Sequence, residues 1–194
     1  MLEPNTLQKL KMSLKKLVVR VQGFRAYGWM GRIIRRELQI REASQADWKE
    51  VHATLNPGAE DPPPQGANCT NYVAKRREKV IGYVQLVHAE EGSGLPEGQW
   101  LFGLWVRTGF RRMGVGELLT LRVAQAARER GAAELRLMLF EDNVPAVRLY
   151  QKLGFKPRVF PELGERLDKE ERASGRKHVV MAASLQNASD SSGL

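Results

Sequence analysis

Cysteine is nearly absent: Cys69 is the single one in 194 residues. One thiol builds no disulfide framework, so nothing in the sequence points to secretion. Histidine is almost as scarce, with three. No His stands near Cys69 in sequence, and no metal cluster is expected. Asn68-Cys69-Thr70 matches a glycosylation acceptor in form, but the match means little without a secretory route. Apolar runs stay well short of the roughly 18 residues that a membrane-spanning helix needs. The first residues also lack the uninterrupted apolar segment of a signal peptide. The expectation is a cytoplasmic protein. There is no internal repeat.

What the chain does have is ordinary globular composition, 42% hydrophobic and 27% charged. A chain of this size buries about 70% of the surface its unfolded form exposes, so it needs no covalent staple. The length suits one domain with extensions. The net charge is +9, and it is unevenly placed. Residues 1–37 hold nine Lys or Arg against Glu3 and Glu37, a balance of +7 that leaves only +2 for the rest. The expected organisation is a basic extension over 1–37, a domain over 38–186 and a disordered polar tail over 187–194. Within the extension, Leu7, Leu10, Leu14, Leu17, Val18 and Val21 recur at helical spacing, with Lys9, Lys16 and Arg20 opposite. Such a basic amphipathic helix packs on its own domain or a second copy, or contacts nucleic acid or an anionic membrane.

From residue 38 the pattern is that of an α/β domain. Leu38–Ala43 alternates as a strand. Ser44, with Asp47 three positions on, predicts a capped helix through about Leu55. Residues 56–66 carry Pro57, Pro62, Pro63 and Pro64 and read as a loop. Strands are expected near 71–75, 80–87, 99–106, 134–140, 155–160 and 178–182, and helices over 115–130 and 143–153, with a charged loop at 161–176. In the strand ending at Val106, simple alternation places Trp100, Phe102, Leu104 and Val106 on one face, with Leu101 and Trp105 on the other.

The chemistry concentrates after that strand. Arg111-Arg112-Met113-Gly114-Val115-Gly116 leads straight into a helix. A glycine-rich turn at a helix start exposes backbone N–H groups beside the positive end of the helix dipole, which is an anion site. The two arginines add full charges. A P-loop is excluded, because Val115 and Gly116 stand where Lys and Ser/Thr are needed. A dinucleotide fingerprint is excluded as well, because Leu119 stands where its third glycine should be.

The run Arg111-x-x-Gly114-x-Gly116 resembles the coenzyme A signature of the GNAT family of N-acetyltransferases. The preceding strand, Leu101-Phe102-Gly103-Leu104-Trp105-Val106, looks like that family's central strand. Downstream, Asn143-Val144-Pro145-Ala146-Val147-Arg148-Leu149-Tyr150-Gln151-Lys152-Leu153-Gly154-Phe155 resembles its second motif. The resemblance covers about residues 38–184. It implies a mixed sheet of six to seven strands flanked by helices, with a splayed parallel strand pair, and acetyl-CoA as co-substrate without a metal.

The resemblance also implies roles. The backbone of Arg112–Gly116 and the side chains of Arg111 and Arg112 would hold the pyrophosphate. The backbone of Leu104, Trp105 and Val106 would pair with the pantetheine arm, and an N–H there would steady the oxyanion. Tyr150 would protonate the departing thiolate, and Asn143, also an apt helix cap, would help position the arm. The acceptor would be a small-molecule or peptide amine, and a homodimer is one expected assembly. Many family members carry a carboxylate on or beside the central strand as general base. Here that strand has none, and Glu97, Glu141 and Asp142 are the nearest candidates. The gap keeps open a second reading: a regulatory or scaffold protein of the same fold that binds acyl-CoA without turnover.

Overall fold

The computed structural model describes residues 37–55 and 68–186. The helix expected over 5–21, the proline-rich stretch and the tail from 187 lie outside them.

The domain is one seven-stranded sheet in the order β1-β2-β3-β4-β5-β7-β6. Its strands are β1 (Leu38–Glu42), β2 (Cys69–Arg76), β3 (Lys79–Ala89), β4 (Gly98–Val106), β5 (Glu134–Phe140), β6 (Lys156–Pro157) and β7 (His178–Ser184). Every neighbouring pair is antiparallel except β4 and β5. That parallel pair is joined by helix α2 (Val115–Glu129), the crossover that parallel strands require. The other helices among the described residues are α1 (Gln45–Leu55), α3 (Val144–Lys152) and α4 (Gly164–Ser174).

Local chemistry starts α1 as the sequence predicts. The Ser44 backbone N–H donates to Asp47 Oδ2 at 2.9 Å, and the Asp47 N–H donates back to Ser44 Oγ at 3.3 Å. This reciprocal pair is a capping box with Asp in the usual Glu position. Asp47 is also buried, and it ion-pairs with Arg41 at 2.6 Å and Lys75 at 3.1 Å, so one carboxylate ties β1, α1 and β2 together.

The main core lies between the sheet and α2: Val84, Leu86, Leu101, Leu119, Val123, Leu135, Leu137 and Met181 pack there with Tyr150 and Phe155 from the α3 segment. Gly82 on β3 makes the close approach of α2 feasible. A Cβ there would stand 2.9 Å from Leu119 Cδ1 and 3.0 Å from Val115 Cγ1. On the opposite face, α1 covers Val73 and Tyr83 through Val51 and Trp48, while Leu163 and Leu167 at the start of α4 cover Trp100, Phe102 and Val180.

Three sequence expectations change. First, β4 does not alternate throughout. Phe102 pairs with Gln85 but Trp105 pairs with Tyr83, so Gly103 and Leu104 together oppose Val84. This bulge inserts one residue and reverses the parity beyond it. Leu104 and Val106 therefore join Leu101 on the α2 face, while Trp100, Phe102 and Trp105 share the other. Gly103 sits at φ +62°, which a bulged glycine accepts at low cost. Second, the charged segment 161–176 is not a loop. It forms a 3-10 turn at Pro161–Leu163 and then α4, supported by an Arg166–Glu170 ion pair at i,i+4 spacing. Third, the strand expected over 155–160 shrinks to Lys156–Pro157, with one more bond to β7 from the Arg158 N–H to the Val180 carbonyl at 2.9 Å, because the chain then turns away into the Pro161 helix start.

Candidate active site

The glycine-rich turn sits where the sequence puts it, between β4 and α2. A short 3-10 turn, Thr108–Phe110, leads in. Arg112 then adopts φ +60° and Gly114 φ +85°. Left-handed residues alternating with ordinary ones turn successive N–H groups toward one side, which makes an anion-binding nest. For Arg112 the conformation costs energy, since a Cβ disfavours it. Gly114 is the N-cap of α2, and its carbonyl accepts the first helical bond, from Leu118 at 3.0 Å. The N–H groups of the first turn have no intrahelical acceptor and face the turn. Arg111 folds back, and its Nε donates to the carbonyl of Val106 at 3.0 Å, placing the guanidinium at the end of β4.

That end of β4 is open. β4 and β5 pair only at Gln99–Leu135, Trp100–Arg136 and Leu101–Leu137. Beyond them both strands run on, to Val106 and to Phe140, without pairing to each other. The backbone of Leu104, Trp105 and Val106 is therefore left unpaired by β5, with the Val106 carbonyl taken by Arg111 Nε. The expected splayed pair is present, and an extended ligand can pair with that edge as an added strand would.

The α2 face of this gap is lined from α2 and α3. A Cβ on Gly116 would lie 3.5 Å from Leu149, 3.7 Å from Leu104 and 3.7 Å from Val106. Gly116 thus borders the mouth of the gap. Tyr150 is buried on the same face, with its ring edge-on to Phe155 at 5.4 Å. Burial pushes its phenol above the ordinary range, so it stays protonated at neutral pH. Its hydroxyl makes no hydrogen bond among the described residues. Asn143 caps α3, its Oδ1 accepting from the Ala146 N–H at 3.4 Å.

The other face of the gap carries groups that sequence reasoning did not single out. Tyr83 Oη donates to Asn71 Oδ1 at 2.7 Å, and the Gln85 amide lies 3.5 Å from Cys69 Sγ. Burial raises both the Tyr83 phenol and the Cys69 thiol, so this network is neutral. Trp48 stacks on Tyr83 at 5.6 Å. Farther along, His178 opens β7, stands beside Phe140 in the β5 register and packs against its ring at 4.2 Å. His178 Nδ1 lies 3.5 Å from Glu170 Oε2 of α4 without making a hydrogen bond to it. No local motif marks these residues; strand register and the α4 packing bring them together.

The three carboxylates considered from sequence fare differently. Glu97 precedes β4 at its paired end, seven residues or about 20 Å from Leu104 along the strand. Glu141 ion-pairs with Lys177 at 3.7 Å. Asp142 is gripped by Arg176 through two hydrogen bonds, at 2.7 and 2.9 Å, which hold its carboxyl below the usual range. None is a free base beside the gap.

Among the described residues no group of three or more His, Cys, Asp or Glu is arranged to hold a metal ion. No described helix is long and apolar enough to cross a membrane.

Comparison with known proteins bears on this arrangement. A sequence model of the acetyltransferase (GNAT) family matches residues 38–155. Human N-acetyltransferase 8 is 34% identical over 85 residues, 44% of this chain and 37% of that protein. The chain thus spans little more than a third of that curated relative. A nourseothricin acetyltransferase superposes with a TM-score of 0.58 at 19% identity, covering 77% of this chain and 99% of that one. An acetyltransferase of Salmonella typhimurium, solved with its cofactor acetyl-CoA, gives 0.55 at 20% identity over 78% of this chain and 95% of that one. At these identities the structural likeness concerns the fold.

Proposed function

We propose, from the premise that the chain belongs to the acetyltransferase (GNAT) family, that it transfers an acetyl group from acetyl-CoA to a primary amine by direct attack. The observation that carries this reading is the joining of two features at one place. An amide-rich nest at the start of α2 opens beside a parallel strand pair that parts after Leu101. A pyrophosphate fits the first, and an extended arm fits the second.

Each residue then has a task. The N–H groups of Arg112–Gly116 bind phosphate oxygens, with the charges of Arg111 and Arg112 beside them. The unpaired edge of Leu104–Val106 orients the arm. An N–H of that bulged edge donates to the oxyanion that forms when the amine adds. The buried phenol of Tyr150 donates a proton as the thiolate departs. The apolar walls, Leu104, Val106 and Leu149, keep water from the thioester. Asn143 holds the start of α3, and with it the placement of Tyr150. Acetyl-CoA supplies the activated acyl group and no metal is required.

The acceptor is a small-molecule or peptide amine. A cytoplasmic location, a homodimer, and contact of residues 1–37 with nucleic acid or an anionic membrane belong to the same proposal and rest on sequence. The +7 charge of that segment supports the last, and such binding would weaken steeply with salt.

The test is calorimetry with acetyl-CoA followed by thiol release over a panel of amines. Saturable binding and turnover of at least one amine are expected. Binding without thiol release would favour the acyl-CoA-binding scaffold, and absence of binding would refute both.

A further inference from the structure

We infer that His178 is the general base that deprotonates the attacking ammonium, and that Glu170 is its positioning residue. The inference rests on the transferase reading above.

The two faces of the gap differ. The nest, Gly116 and Tyr150 occupy the α2 and α3 face, which the cofactor would fill. The amine therefore enters from the opposite face, and any base must stand there. On that face the groups nearest β4 are Tyr83, Asn71, Gln85 and Cys69, a neutral network whose phenol and thiol are both raised by burial. None of these accepts a proton near neutral pH. Asp142 and Glu141 are tied to Arg176 and Lys177.

His178 meets the remaining requirements. Its register partner is Phe140, the last residue of β5, on the part of that strand that has separated from β4. It lies on the α4 side, as its approach to Glu170 shows. Its side chain is 14% exposed, so it is held in place and still reachable. Nδ1 lies 3.5 Å from the Glu170 carboxylate without making a hydrogen bond, and Nε2 is at the opposite edge of the ring. The charges around it are fixed in pairs. Glu170 is bonded to Arg166 on α4, and Arg176, held by Asp142, lies over the Phe140 ring. Lys177 pairs with Glu141.

The chemistry balances. The ammonium loses one proton to His178 Nε2. The neutral nitrogen attacks the thioester carbonyl carbon, and a C–N bond forms as the carbonyl electrons move to oxygen. Those electrons return as the C–S bond breaks. The sulfur leaves with the bonding pair and takes a proton from Tyr150. The new amide nitrogen sheds its second proton, which restores the phenol through solvent. His178 releases the first proton to solvent. The net products are an amide, a thiol and one proton.

The experiment compares wild type, H178Q and E170Q in the full chain, with the amine that wild type turns over fastest. Acetyl-CoA affinity and melting temperature are measured alongside. H178Q should bind acetyl-CoA as wild type does and lose about 10²-fold or more in kcat at neutral pH. It should recover toward wild type as the pH rises and the amine itself becomes neutral. E170Q should lower kcat by a smaller factor than H178Q, with KM for the amine and acetyl-CoA affinity unchanged. No loss in H178Q at neutral pH, or an equal loss at every pH, overturns the assignment while leaving the transferase reading intact; an unchanged kcat in E170Q overturns the positioning role. If wild type turns over no amine, the transferase reading fails first, and the assignment falls with it.

Discussion

Gly116→Ala separates stability from cofactor binding, because the two should move in opposite directions. Gly116 is the second residue of α2, and its φ lies outside the left-handed region. A Cβ there would meet Leu149, Leu104 and Val106 at 3.5, 3.7 and 3.7 Å, all ordinary contacts. The unliganded fold therefore has room for a methyl. Replacing glycine by alanine in a helix gains about 0.5–1 kcal/mol, with the lower figure apt so near the N-terminus. For a domain of this size that raises the melting temperature by about 1–2 °C. The same methyl enters the mouth of the gap, between the nest and the unpaired edge of β4. If it costs tenfold in affinity, it removes about 1.4 kcal/mol of binding. At an acetyl-CoA concentration of 100 times the wild-type Kd, ligand stabilises wild type by about 2.7 kcal/mol, and would stabilise the variant by about 1.4 kcal/mol. Melting curves with and without acetyl-CoA read both quantities. The expected result is a higher unliganded melting temperature and a ligand-induced rise cut to about half. A variant that melts lower would show that the unliganded fold lacks that room, and one that acetyl-CoA stabilises as fully as wild type would show that Gly116 does not border the arm.

Gly82→Ala should act through packing, since its Cβ would stand 2.9 Å from Leu119 and 3.0 Å from Val115; a loss of about 1–3 kcal/mol in urea unfolding is expected, and an unchanged midpoint would contradict the close approach of α2. Asp47→Ala removes the partner of Arg41, Lys75 and the Ser44 N–H together, and should destabilise by about 3–5 kcal/mol; a loss under about 1 kcal/mol, the size of an exposed pair, would show that the network is not coupled to the core. The Asp47 carboxyl is held well below its ordinary range against a burial effect that opposes it, by bonds from Arg41, Ser44 and Lys75. Its contribution is therefore fully present above the unfolded carboxylate value of about 4 and fades as pH falls toward the folded one. Asp47→Asn should flatten that acid limb in pH-dependent melts, and a limb of wild-type steepness would assign it to other carboxylates. Tyr150→Phe should leave acetyl-CoA binding unchanged and lower kcat about 10²-fold or more, and wild-type kcat would remove the phenol from the proton path.

The elements legible in the sequence were those with local causes. Ser44 and Asp47 announce a capping box, Gly114 and Gly116 announce an anion turn, and the spacing of apolar residues over 115–130 announces a helix. Each depends on residues within one turn of each other, so linear spacing carries the information. The same holds for Asn143 and Tyr150 on one short helix. Helix α4 was harder to read because only Leu163 and Leu167 anchor it; its remaining surface is charged and supported by pairs such as Arg166–Glu170.

What the sequence pointed to by itself is thus a family, a candidate cofactor site and the order of the elements other than α4. The tertiary structure decided the faces. Two residues of β4 oppose one of β3, so Gly103 and Leu104 reverse which side chains look toward α2, and no period-two pattern reveals where a register shift falls. It also decided the company of His178. Phe140 reaches it by strand pairing across 38 positions, and Glu170 reaches it by packing of α4, so neither contact leaves a trace in local sequence. Register and packing are sums over distant residues, and they bring His178 beside the open end of a strand pair, where residues 102–106 and 138–140 carry no ionisable side chain.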